Sequence, residues 1–104
     1  MSISSITSPH AVTSAVAEFD RLGRTRFLET YGYGPARTYF LDIKGRLYDS
    51  KAVLGVAHRY QFPARGPLKA DQFSGGYAIV KRRLELLGFH VRTIHSRGRR
   101  DLTR

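Results

Sequence analysis

Five residues, Tyr31-Gly32-Tyr33-Gly34-Pro35, divide this chain into two kinds of pattern. Two glycines and a proline at that density cannot continue a helix, so the segment must be a loop. Upstream of it, apolar residues recur at helical spacing. Ser8-Pro9 reads as an N-cap with proline in the first turn, and Val12, Ala15, Val16, Phe19 and Leu22 mark one helix face before Gly23 stops the run. A second short helix, about Thr25 to Tyr31, offers Phe27 and Leu28.

Downstream of the loop the period changes to two. Thr38 to Ile43 is rich in β-branched and aromatic residues, Lys44-Gly45 has turn chemistry, and Arg46-Leu47-Tyr48 can return, which predicts a β-hairpin. Tyr39, Leu41 and Ile43 then share one face, with Phe40 and Asp42 on the other. Asp49 or Ser50 caps a third helix from Lys51 to about Tyr60, with Val53, Val56, Ala57 and Tyr60 turned inward and Lys51, His58 and Arg59 toward solvent. Residues 61–72, with Pro63, Gly66 and Pro67, form the longest loop. Ser74-Gly75-Gly76 opens a fourth helix carrying Tyr77, Val80, Leu84 and Leu87, Gly88 ends it, and Phe89 to Ile94 is a last strand. The order ααββααβ describes a small α+β domain, with about four helices packed on a three-stranded, largely antiparallel sheet. Residues 1–8 read as an N-terminal arm, 9–94 as the domain, and 95–104 as a basic tail or interrupted linker.

A chain of 104 residues has room for one core and not for a cleft between lobes. Its charge is more telling. Lys and Arg number 18 against 8 Asp and Glu, a net charge of +10, and 14 of the cations are Arg. The planar guanidinium fork suits phosphates and guanine edges, which points to nucleic acid. A GC-rich genome would favour Arg over Lys but would not produce the net excess. With no cysteine, disulfides and thiolate chemistry are excluded, which is compatible with the cytoplasm. No apolar run approaches the roughly 20 residues of a membrane span, so no membrane role is expected.

Catalytic constellations are missing from the pattern. His10, His58, His90 and His95 lack nearby acidic partners, so neither a metal site nor any other cofactor is expected. The acids are scattered rather than clustered as metal-dependent nuclease chemistry requires. Two helix entries are the better candidates. Ser74-Gly75-Gly76 would present free backbone N–H groups to an anion, with Arg82 and Arg83 further along the same helix, although a plain structural cap accounts for Ser74 equally. At Asp49-Ser50-Lys51, Lys51 sits where the helix dipole disfavours a cation, which invites a phosphate partner. Arg37, Tyr39, Lys44 and Arg46 interleave cations and an aromatic around the hairpin, and Arg59 adds a further cation on the third helix. Tail residues Arg97, Arg99, Arg100 and Arg104 would contribute only salt-sensitive affinity.

Over about residues 10–92 the chain resembles the N-terminal head domain of ScoMcrA-type, modification-dependent type IV restriction endonucleases. Tyr48-Asp49-Ser50-Lys51-Ala52 with the apolar helix after it, and Phe73-Ser74-Gly75-Gly76 leading to Leu87-Gly88-Phe89, carry the resemblance. It implies a module at the start of a larger protein, whose later modules recognise phosphorothioated or methylated DNA and whose terminal HNH module cuts it. The HNH residues have no counterpart here, so cleavage does not carry over. The expected function is a non-catalytic DNA-binding accessory domain of a restriction system. The alternative is a protein-interaction or oligomerisation module docking on a nuclease partner or a neighbouring module. A small enzyme is a distant third.

Overall fold

The computed structural model describes residues 3–73 and 77–94. Four helices, α1 (Pro9–Leu22), α2 (Arg24–Tyr31), α3 (Ser50–Gln61) and α4 (Tyr77–Leu86), accompany three strands, β1 (Tyr39–Ile43), β2 (Arg46–Asp49) and β3 (His90–Thr93). The expected α+β architecture is what the chain adopts.

Local chemistry explains the boundaries. The Ser8 hydroxyl accepts from the Ala11 N–H at 3.1 Å, with Pro9 in the first turn. The Gly23 N–H closes α1 on the Phe19 carbonyl at 2.8 Å, and the Gly23 carbonyl in turn opens α2. Between β1 and β2, Lys44 (φ 53°) and Gly45 (φ 88°) occupy the left-handed region demanded by a tight hairpin turn. The Asp42 carboxylate reinforces it by accepting from the Gly45 N–H at 2.9 Å.

The sheet order is β2-β1-β3, antiparallel throughout. Leu41 is opposite Tyr48 on one side and Val91 on the other, and all three are buried. That row fixes the register, because a slip of one residue would turn all three to the wrong face. Asp42 lies on the opposite face, paired with Arg92 at 3.3 Å.

Helix α3 is the centre of the molecule. Residues 52–58 are buried without a break, a pattern that belongs to a helix covered on all sides rather than to a one-sided amphipathic one. It packs most extensively on α1, and also touches α2, α4, the hairpin strands and short 3-10 turns at Ile3–Ser5 and Ala70–Gln72. His58, expected at the surface, is therefore 1% exposed, and Tyr60, expected inside, is exposed. The segment before α1 also enters the core through Ile3 and Ile6. An aromatic cluster joins the layers, with the Phe19 ring 4.9 Å from Phe27 and 5.0 Å, edge-on, from Tyr48.

The loop after α3 lies directly on it at Gly55. The Leu68 N–H donates to the Gly55 carbonyl at 3.0 Å, and the Tyr33 hydroxyl donates to the Leu68 carbonyl at 2.6 Å. A Cβ on Gly55 would lie 1.9 Å from the Tyr33 hydroxyl oxygen and 3.1 Å from the Leu68 carbonyl oxygen. The Gly55→Ala substitution is expected to destabilise the fold by about 1–3 kcal/mol, the usual cost of overpacking, although alanine is the better helix former. Denaturant unfolding checks this; a midpoint at or above the parent's would remove the crossing from its central role.

Candidate functional site

The entry to α3 is built around a buried acid. The Asp49 side chain is 3% exposed and accepts from Arg24 at 2.8 and 2.9 Å and from the Ala36 N–H at 2.7 Å. Such a two-pronged guanidinium pair, with a backbone donor besides, fixes geometry as well as charge. The carboxylate forms no side-chain cap on its own helix, contrary to the expectation that it would. Ser50 is similarly engaged, donating its hydroxyl to the Tyr39 carbonyl at 3.0 Å. Together they tie α2, the 33–36 loop and β1 to the start of α3.

Lys51, the next residue, is half-buried and takes no part in these bonds. Its Nζ stands 5.0 Å from the centroid of the Phe73 ring, within cation–π range. Phe73 is itself buried and packs on Tyr33, ring centroids 6.4 Å apart. Phe73 is the residue before Ser74 in the sequence. Ser74, Gly75 and Gly76 themselves lie outside the described residues. A cavity of about 200 Å³ opens beside Lys51, walled by Tyr33, Gly34, Pro35, Tyr39 and Ser50.

The remaining candidates disperse. Tyr39 joins Lys51 at this cavity, whereas Lys44 and Arg46 lie exposed at the far end of the hairpin, roughly 16 Å along the strand. Arg46 is 3.5 Å from Asp20. Arg37 is exposed on the loop before β1. On α4, Arg82 is exposed and Arg83 half-buried, while Lys81 pairs with Glu85 at 3.8 Å.

Arg59 is drawn into an internal network. It donates to the Tyr31 hydroxyl at 2.6 Å, stands 3.6 Å from Glu18, and lies over the Tyr60 ring at 5.3 Å. The buried Glu18 carboxylate accepts from both the Tyr31 and Tyr60 hydroxyls. One acid on α1 thus holds α2 and α3 together through two phenols.

Sequence reasoning missed a second cavity, of about 410 Å³, between the end of α3 and the following loop. His58, Arg65, Pro67, Leu68, Lys69 and Gln72 line it. The available signal was the placement of Arg65 and Lys69 on either side of Gly66-Pro67, two cations brought together by a turn. Among the described residues, no group of three His, Cys, Asp or Glu side chains is placed to hold a metal ion, and no helix is long and apolar enough to cross a membrane.

The ScoMcrA-like, N-terminal head domain matches residues 4–93. The chain belongs to that family. The match begins within the Ile3–Ser5 turn that packs on α3. Among solved structures, that of the type IV phosphorothioation-dependent restriction endonuclease ScoMcrA is similar, with 35% identity and a TM-score of 0.59. The similarity covers 86% of this head domain and 13% of the solved chain, so the family's domain is a small part of that enzyme. No curated protein matches the chain.

The phenol network sets a pH limit on the fold. Partial desolvation of the hydroxyl, and then its hydrogen bond to the buried Glu18, push the Tyr60 phenol up to about 12, above the ordinary value of about 10. Burial raises Tyr31 as well. A phenol whose folded pKa is raised contributes stability that is complete below the unfolded value and is lost as pH rises through the folded one. Stability is therefore expected to fall between about pH 10 and 12. Phenolate absorbance followed against pH should show a late ionisation that the Tyr60→Phe variant lacks; an unchanged curve in that variant would place Tyr60 outside the network.

Proposed function

We propose that this head domain is a non-catalytic DNA-binding module of a modification-dependent restriction system, acting in the cytoplasm beside HNH nuclease and modified-DNA-reading modules. The observation that carries the reading is the placement of Lys51 over Phe73 at the entry to α3. There a cation, an aromatic ring and a small cavity occur together on a rigid, cross-braced support, a combination suited to a sugar–phosphate backbone. Family membership supports it, since a solved protein with a similar domain is a type IV phosphorothioation-dependent restriction endonuclease. The net charge of +10 supports it further, because a basic domain gains affinity from released counterions. Tyr39, Arg82 and Arg83 would extend the contact, with Arg37, Lys44, Arg46 and the residues 74–76 as further candidates.

The test is a binding titration against unmodified, methylated and phosphorothioated duplexes at two salt concentrations. Affinity should fall steeply with salt, and the Lys51→Ala variant should weaken binding to all three duplexes alike while reducing the log–log salt slope by about one. Absence of binding at low salt, or affinity indifferent to salt, overturns the reading.

One observation favours the second reading, a protein-docking module. Ile79 and Leu86 on α4 are 51% and 67% exposed, and their spacing of seven puts them on one side of that helix. If α4 docks on a neighbouring module, the double variant Ile79→Glu, Leu86→Glu should abolish co-purification with the rest of the endonuclease and leave DNA affinity intact. Unchanged co-purification removes this reading.

A further inference from the structure

Helix α4 has a side that the fold leaves uncovered. Val80 and Leu84 are buried, Leu87 packs partly on the same core, and α3, β1 and β3 are the elements that lie against the helix there. At about 100° per residue, Ile79 and Leu86 fall roughly 20° apart and about 10 Å from one another along the axis, turned well away from that packed side. Both are exposed. By the same geometry Arg82 lies about 50° to one flank of the pair and Arg83 about 50° to the other. Neither arginine has an ion-pair partner among the described residues. Glu85, the only acid on the helix, is further round and stands 3.8 Å from Lys81, the third cation. The uncovered side is therefore an apolar seam one heptad long with an unneutralised arginine along each edge.

Such a surface is completed by a partner that brings apolar side chains to the seam and carboxylates to both edges, as flanking charges do in paired helices. A nucleic-acid backbone would engage the arginines and leave Ile79 and Leu86 in water. A second copy of this chain would set arginine against arginine along paired α4 helices, between two domains that each carry a net charge of +10. We propose that this side of α4 docks an acidic amphipathic helix of a protein partner, with apolar residues a heptad apart against Ile79 and Leu86 and Asp or Glu side chains on Arg82 and Arg83. The inference rests on the protein-docking reading above and adds to it the chemistry of the partner. It also assigns Arg82 and Arg83 to that partner rather than to DNA. Burial of the seam supplies affinity, while the two guanidinium forks set the register of the bound helix and reject a basic one.

The whole chain, labelled with ¹⁵N, is titrated with a synthetic peptide of about three heptads, long enough to be helical, with Leu at the first position of each heptad, Glu at the fourth and fifth and Ala elsewhere. Counterparts carry Gln or Lys in place of Glu, and phosphatidylglycerol vesicles test for a lipid surface instead. The Glu peptide should shift the backbone amides of residues 79–86 and bind about tenfold more tightly than the Gln peptide. The Arg82→Glu, Arg83→Glu variant should lose that margin and bind the Lys peptide in its place. Four results overturn the proposal: shifts confined to other elements, equal affinity for the Glu and Gln peptides, a charge-reversed variant that gains nothing for the Lys peptide, or α4 amides moved by vesicles and not by peptide. Co-purification with the rest of the endonuclease separates the proposal from the reading beneath it. A partner lost by Ile79→Glu, Leu86→Glu but retained by Arg82→Glu, Arg83→Glu sinks the acidic helix only. A partner retained by both variants, with the Glu peptide bound as expected, sinks docking on a neighbouring module and keeps the acidic-helix surface.

Discussion

The backbone crossing at Gly55 is the contact on which the rest of the molecule depends. A helix and a loop approach closely enough there for the Leu68 N–H to reach the Gly55 carbonyl, and the Tyr33 hydroxyl locks the Leu68 carbonyl from the other side. With the loop seated, α3 is covered on the side that α1 leaves open, which is why residues 52–58 are buried continuously. The same seating brings Gly66 to His58 at one end of the helix and Phe73 to Lys51 at the other. The cavity of about 410 Å³ is a consequence of where this one loop lies.

Two buried acids perform the corresponding task for the helices. Glu18 and Asp49 each collect donors from other elements, Glu18 from two phenols and an arginine, Asp49 from an arginine and a backbone N–H. Arg24 is 49% exposed, so the Asp49 pair is solvated on one side, and its main effect is on geometry rather than net stability. The arrangement also changes the meaning of the net charge. Arg24, Arg46, Arg59, Lys81 and Arg92 are all in ion pairs, so part of the basic excess is occupied within the fold. Lys51, Arg65, Lys69 and Arg82 are not so occupied among the described residues, and they carry more of the argument than the total does.

Most elements were legible because each is written in local chemistry. Ser8-Pro9, the period-two run from Tyr39 and the Lys44-Gly45 turn depend on neighbours within a few residues, and all three appear where the sequence places them. His58 and Tyr60 were misread for a single reason. Their helix was assigned one apolar face, and nothing local to α3 reveals that a loop ten residues further on will cover the other. Arg24 and Arg59 were hidden in the same manner, because their acidic partners lie 25 and 41 residues away in the chain. Periodicity reports which side of a helix faces a core, but it is blind to long-range pairing and to cavities walled by an irregular loop.

The two cavities also bear on each other through the helix between them. Lys51 and His58 are seven residues apart on α3, roughly 10 Å along its axis and on one side of it. Because both ends are set by the Gly55 crossing, a shift of the loop would move them together. The spacing is thus set within the head domain itself, by one helix and the loop that crosses it.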